Sequence, residues 1–124
     1  MGAVLVIDDE PTIREMISMA LDMEGVEVIE AEGGRAGIEL ARLNHPALII
    51  SDLRMGGVDG LEVFDTLQKD PSTSSIPFVF ISGLNSQDEI KDCLGTRVAD
   101  CLEKPFSLHA VLTLVKRHLN RPTK

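Results

Sequence analysis

Five side chains able to do chemistry each stand just past a short apolar run. Asp8 and Asp9 follow AVLVI, Asp52 follows ALIIS, Ser82 follows FVFI, and Lys104 comes soon after Val98–Leu102. If those runs are neighbouring strands, three carboxylates, one hydroxyl and one ammonium share an edge. Two like charges about 4 Å apart cost roughly 4 kcal/mol at an effective dielectric near 20, and Lys104 alone does not balance three acids. A hard divalent cation does, and an all-oxygen set that keeps some waters suits Mg²⁺. Ca²⁺ suits it less, because the chain has no EF-hand loop. Taken singly each residue is a weak signal. An Asp after a strand is more often a helix cap, a Ser there a turn residue, and a Lys a solvated charge.

The elements that must position this set are legible in the apolar pattern. Ala3–Ile7 is a nearly continuous apolar run, as in a strand covered on both faces. Pro11 suits the first turn of a helix carrying Ile13, Met16, Ile17, Ala20 and Leu21, which Gly25 closes. Val26–Ala31 reads as a second strand. Ala36, Leu40 and Leu43 mark a second helix, closed by Asn44-His45-Pro46, and Ala47–Ile50 is the third strand. Asp59 and Glu62 have capping-box spacing for a third helix through Leu61, Phe64 and Leu67. DPSTSSIP is a loop before a fourth strand, Phe78–Ile81. Ser86 and Glu89 repeat the capping spacing before a short polar helix with Ile90, Cys93 and Leu94. Val98–Leu102 is a weak fifth strand, and Ser107 caps a last helix striped by Leu108, Val111, Leu112, Val115 and Leu119. Five β-α units with right-handed crossovers make an open parallel sheet with helices on both faces. Function in such sheets gathers at the carboxyl ends of the strands.

Composition narrows the function classes. At 124 residues the chain, 1–124, reads as one domain with room for a real core. A net charge of −8 argues against direct nucleic-acid binding. The basic end, Lys116, Arg117, Arg121 and Lys124, suits the negative end of a helix. No run approaches a membrane span and no signal peptide begins the chain, so cytoplasm is the expected location. Cys93 and Cys101 form no metal cluster with the three histidines and read as reduced thiols. The glycines of EGGRAG follow the second strand with the wrong spacing for a dinucleotide loop.

The combination of VIDDEP, SDLRMGGVDG, FISG and CLEKPF, with Asp52 and Ser82 separated by 30 residues and Ser82 and Lys104 by 22, resembles the receiver domain of two-component response regulators over nearly the whole chain. The resemblance implies a flavodoxin-like α/β fold, a five-stranded parallel sheet in the order 2-1-3-4-5. It implies that Asp52 accepts a phosphoryl group from the phosphohistidine of a sensor histidine kinase or phosphotransfer protein. Asp9 and Asp52 then hold Mg²⁺ directly, Asp8 through a water, and the carbonyl of Arg54 supplies a backbone ligand. Lys104, before a cis Pro105, pairs first with Asp52 and then with the phosphoryl group. Ser82 donates its hydroxyl to that group, Gly83 leaves room for it, and Arg54 and Leu84 at the mouth tune hydrolysis. The output is a changed partner-binding face on the fourth helix, fifth strand and fifth helix, for a downstream protein, an output domain or a second copy. Such a chain is not an enzyme beyond its own phosphoryl transfer and self-dephosphorylation. Glu10 is expected to face solvent as a helix-start residue, with contact to the metal-bound water as the alternative, and Asp59 to be a cap rather than an acceptor.

Two departures stand against that pattern. Gly56 replaces the usual Pro four residues after the acceptor, predicting a looser loop, and Cys101 replaces the usual Tyr or Phe of the switch. Arg97-Val98 also replace the usual Gly-Ala. The alternative is therefore a degenerate receiver that binds partners without phosphorylation. An aspartyl-phosphate phosphatase places its second acid two residues after a first-strand nucleophile, whereas here the pair Asp8-Asp9 is adjacent and the position two after Asp8 is Glu10. The β-α alternation excludes a helical phosphohistidine carrier.

Overall fold

The structure, a computed structural model, describes residues 2–82, 100–103 and 106–119. Nine elements follow in chain order: β1 (Val4–Ile7), α1 (Pro11–Met23), β2 (Val28–Ala31), α2 (Gly34–Asn44), β3 (Leu48–Asp52), α3 (Gly60–Gln68), β4 (Phe78–Ser82), β5 (Asp100–Glu103) and α4 (Leu108–Leu119). The strands form one parallel sheet in the order β2-β1-β3-β4-β5. Strand limits differ from the sequence reading by about two residues at most, the usual scatter at element ends. The expected fourth helix with Cys93, together with Gly83, Leu84, Lys104 and Pro105, lies outside the described residues, as does the side chain of Cys101.

Each face of the sheet has its own core because successive strand residues point to opposite sides. Val4, Val6, Leu48, Ile50, Val79 and Ile81 meet Ile17 and Leu21 of α1 and Val111, Leu114 and Val115 of α4. Leu5, Ile7, Ile49, Phe78 and Phe80 meet Ala41 of α2 and Val63, Phe64 and Leu67 of α3. Each such Val, Leu, Ile or Phe contributes about 1.5–3 kcal/mol of burial. Phe64, Phe78 and Phe80 form a triangle of edge-to-face rings with centroids 5.1–5.8 Å apart.

The helix ends follow local chemistry. At the end of α1, Gly25 takes φ +77° while its N–H donates to the Asp22 carbonyl and that of Val26 to Leu21. These paired bonds define a Schellman stop, which glycine makes without steric cost. Asp59 Oδ1 accepts from the Glu62 N–H at 3.0 Å, and Ser107 Oγ from the Ala110 N–H at 3.0 Å, so both expected caps are present.

The inward face of α2 corrects the sequence reading. Ala36 and Leu43 are exposed, and Gly34, Gly37 and Ala41 are buried instead. The reason is close approach: a Cβ on Gly37 would overlap the Ile7 side chain, and one on Gly34 the Val58 carbonyl. Gly37 thus lets α2 sit low on β1, and Gly34 lets it approach Val58 and, in α3, Val63. In α3, similarly, Val63 is buried where Leu61 was expected.

The loop DPSTSSIP is built around Asp70. The backbone N–H of Ser72 binds Asp70 Oδ1 at 3.0 Å and the Ser72 hydroxyl binds it at 2.8 Å, while Arg42 reaches Oδ2 at 3.0 Å. These contacts, the Ser72 N–H first, hold the Asp70 carboxyl below its ordinary value. A lowered folded value contributes stability above the unfolded value and loses it as pH falls through the folded one. Carboxyl NMR should therefore show Asp70 titrating at lower pH than Asp in an unstructured peptide, and Ser72→Ala should move it upward.

Candidate functional site

Adjacent parallel strands carry the acids to one place. Ile7 pairs with Ser51, so Asp8 and Asp52 are the next positions along β1 and β3. Asp52 in turn pairs with Ile81, one residue before Ser82 on β4. All three are buried, with Asp8 at 0%, Asp52 at 5% and Ser82 at 1% exposure. The strand order reverses between β1 and β3, the place where open α/β sheets hold ligands.

Asp8 is held through its main chain and one carboxylate oxygen. Its N–H donates to the Ala31 carbonyl at 3.2 Å and its Oδ1 accepts from the Glu10 N–H at 2.9 Å. Its carbonyl accepts from Arg14 Nη1 at 2.7 Å, and Arg14 Nε binds Glu30 Oε1 at 3.1 Å. Arg14 thereby ties α1 and β2 to the last peptide of β1. Sequence reasoning missed it, although a cation in the first turns of a helix opposes the helix dipole and so signals a partner.

One carboxylate oxygen from each of Asp8, Glu10 and Asp52 lies within 4.8 Å of the others. Glu10 is exposed, as the sequence reading expected of a helix-start residue, yet its carboxylate also turns to the acids. It is the exposed N-cap of α1, but its side chain caps no helix amide. Glutamate is a poor N-cap, and its presence directly before Pro11 is the signal that marks another use. Asp9 is placed differently: its Oδ2 accepts from the Gly56 N–H at 3.1 Å. That bond tethers the loop predicted to be looser. The three converging oxygens form a hard donor set that fits a hard divalent cation. A spacing of this order is spanned by ligands on opposite sides of one ion, or by one ligand acting through a bound water.

The remaining sequence candidates fall as follows. Arg54 is exposed two residues past Asp52. Ser82 Oγ has no hydrogen-bond partner among the described residues. Cys101 pairs with Phe80 in the β4–β5 ladder, and Ser82 pairs with Glu103, the residue before Lys104. Asp59 is occupied as the cap of α3.

Below the site, Gly60 rests on Asp52 itself. The Gly60 N–H donates to the Leu53 carbonyl at 3.0 Å, and a Cβ on Gly60 would overlap the Asp52 carbonyl. Backbone on backbone leaves little room to yield. Gly60→Ala should cost about 1–3 kcal/mol, seen as a lower urea midpoint at unchanged slope.

The profile of the response regulator receiver domain matches residues 4–116 of this chain. The chain belongs to that family. This receiver is 36% identical over 122 residues to the DNA-binding dual master transcriptional regulator RpaA of Synechocystis, a match that covers 98% of this chain and 50% of that protein. Its identity to protein PilH of Pseudomonas aeruginosa is 31%, over 93% of this chain and 95% of PilH. The crystal structure of the Vibrio cholerae chemotaxis protein CheY4 matches with a TM-score of 0.88 at 28% identity, covering 96% of this chain and 99% of that one. The chain spans about half the length of several curated transcriptional regulators it matches. Receiver domains are signalling modules rather than classical enzymes, they bind Mg²⁺ at an acidic site, and they act with histidine kinases or phosphotransfer proteins. Among the described residues no helix is long and apolar enough to cross a membrane.

Proposed function

We propose that this receiver takes a phosphoryl group from the phosphohistidine of a kinase or phosphotransfer protein onto Asp52, in the cytoplasm. The observation that carries the reading is the convergence of the Asp8, Glu10 and Asp52 carboxylates one residue along from a buried Ser82 hydroxyl. An Asp52 oxygen attacks phosphorus, the P–N bond to the donor imidazole breaks, and an acyl phosphate forms. A carboxylate is a weak nucleophile toward an anionic phosphoryl group, so alignment and countercharge supply most of the catalysis. Mg²⁺ bound by the acids supplies that countercharge and polarises a phosphoryl oxygen. Asp9 and Asp52 are the direct ligands in this reading, Asp8 orders a metal-bound water, and the Arg54 carbonyl completes the protein's share.

Ser82 gives its hydroxyl, unpartnered among the described residues, to the arriving group, and Lys104 pairs with that group. Gly83 leaves space there, while Arg54 and Leu84 control the approach of water. Engagement of Ser82 shifts an existing equilibrium of the face that includes β5 and α4, where a downstream partner, output domain or second copy binds.

The test is intact-mass spectrometry after incubation with Mg²⁺ and a small phosphodonor. One added phosphoryl group is expected. A wild-type protein that stays unlabelled and also fails to bind Mg²⁺ would remove the basis for this reading.

A further inference from the structure

We infer that Glu10 sets the balance of the acidic site between cation and anion, strengthening Mg²⁺ binding while slowing uptake of an anionic phosphoryl donor. The inference rests on the reading of Asp52 as phosphoacceptor. It starts from a division of exposure within the cluster. Asp8 and Asp52 are buried, whereas Glu10 is exposed to the solvent from which a donor arrives.

Three features assign the Glu10 carboxylate to this task. It caps no helix amide, so the N-cap position does not account for it. Its own backbone N–H is bound to Asp8 Oδ1 at 2.9 Å, which fixes the residue against the site. Its carboxylate oxygen then lies within 4.8 Å of those of Asp8 and Asp52. Ser82 is the independent sign that a ligand belongs here. At 1% exposure its hydroxyl has no hydrogen-bond partner among the described residues, at the end of the strand next to Asp52.

The charge count gives both signs of the effect. The Asp8, Glu10 and Asp52 carboxylates carry three negative charges and Asp9 a fourth, so a divalent cation leaves the site negative. Glu10 therefore holds the cation more tightly than the site would without it. It also repels a dianionic acyl phosphate as it enters. Against a doubly charged ligand, removing one charge at such a distance changes an equilibrium or rate by about fivefold in a water-like dielectric screened by physiological salt.

The test compares wild type, Glu10→Gln and Glu10→Asp. Mg²⁺ affinity is read by titration calorimetry, since the chain has no Trp or Tyr to report binding. Phosphoryl uptake from acetyl phosphate is followed by intact mass at saturating Mg²⁺. Glu10→Gln is expected to bind Mg²⁺ about fivefold more weakly and to label about fivefold faster. Glu10→Asp keeps the charge and should lie near wild type in both. A purely structural role would weaken binding and slow labelling together, and that result overturns the inference. Unchanged Mg²⁺ affinity in Glu10→Gln overturns it as well, whatever the labelling shows. Absence of label on wild type strikes the phosphoacceptor reading instead, and the Mg²⁺ titration still decides the role of Glu10.

Discussion

Asp52→Asn is expected to take up no phosphoryl group under conditions that label the wild type, and to lose most of the stabilisation that Mg²⁺ gives it. The amide is a neutral, far poorer nucleophile. Asp59 is engaged as the cap of α3, and Asp8 has its Oδ1 bound to the Glu10 N–H. The cation effect follows from the same geometry. A ligand that binds only the folded state stabilises it by about 2.7 kcal/mol at a hundred times its dissociation constant. With Asp52 neutral, one of the three converging carboxylates is gone, and in the proposed reading the cation loses a direct ligand. Urea unfolding with and without Mg²⁺ should show a clear rise in midpoint for wild type and a much smaller one for Asp52→Asn. If the variant were labelled, or stabilised by Mg²⁺ as strongly as wild type, Asp52 would not be the centre of the site.

Phe80→Ala is expected to be the most damaging single core truncation, costing about 3–5 kcal/mol. Phe80 is fully buried in the sheet, and its ring meets Phe64 of α3 at 5.8 Å and Phe78 at 5.1 Å, both edge to face. Edge-to-face pairs add about 0.5–1.5 kcal/mol each beyond burial. Net stabilities of domains are only about 5–15 kcal/mol, so the loss approaches the whole margin. The damage also reaches the site, because Phe80 pairs with Ser51 beside Asp52 and stands two residues before Ser82. Phe80→Leu retains most of the volume and should cost far less. Equilibrium urea unfolding of both variants measures the difference; a cost below about 1 kcal/mol for Phe80→Ala would mean the three rings do not bind α3 to the sheet.

The fold was largely readable because the strands are buried on both faces. Continuous apolar runs such as AVLVI and FVFI have few other uses, and side-chain chemistry names the caps at Asp59 and Ser107. The inward face of α2 was not readable from hydrophobicity. Leu43 looked like core and is 78% exposed, whereas the buried residues are glycines and an alanine chosen for smallness. Periodicity counts apolar side chains and is blind to a helix whose contact face consists of missing ones. At the site, Asp8, Asp52 and Ser82 were legible because each ends a strand. Glu10 and Arg14 were harder, since their roles arise from how the chain turns between β1 and α1. Both break a local preference, an N-cap without capping and a cation near a helix start, and such breaches point to outside partners.

The bond from the Gly56 N–H to Asp9 has a consequence for how this loop can be mapped. Replacing Gly56 by alanine, serine or almost any other residue leaves the donor in place, because it belongs to the main chain. Proline alone deletes it, and proline is the residue that the receiver pattern usually carries at this point. Side-chain changes at position 56 would therefore pass over the link between the two loops as silent. At that position the one substitution that reveals it is the one that restores the common sequence, so in this receiver the ordinary residue would be the informative mutant.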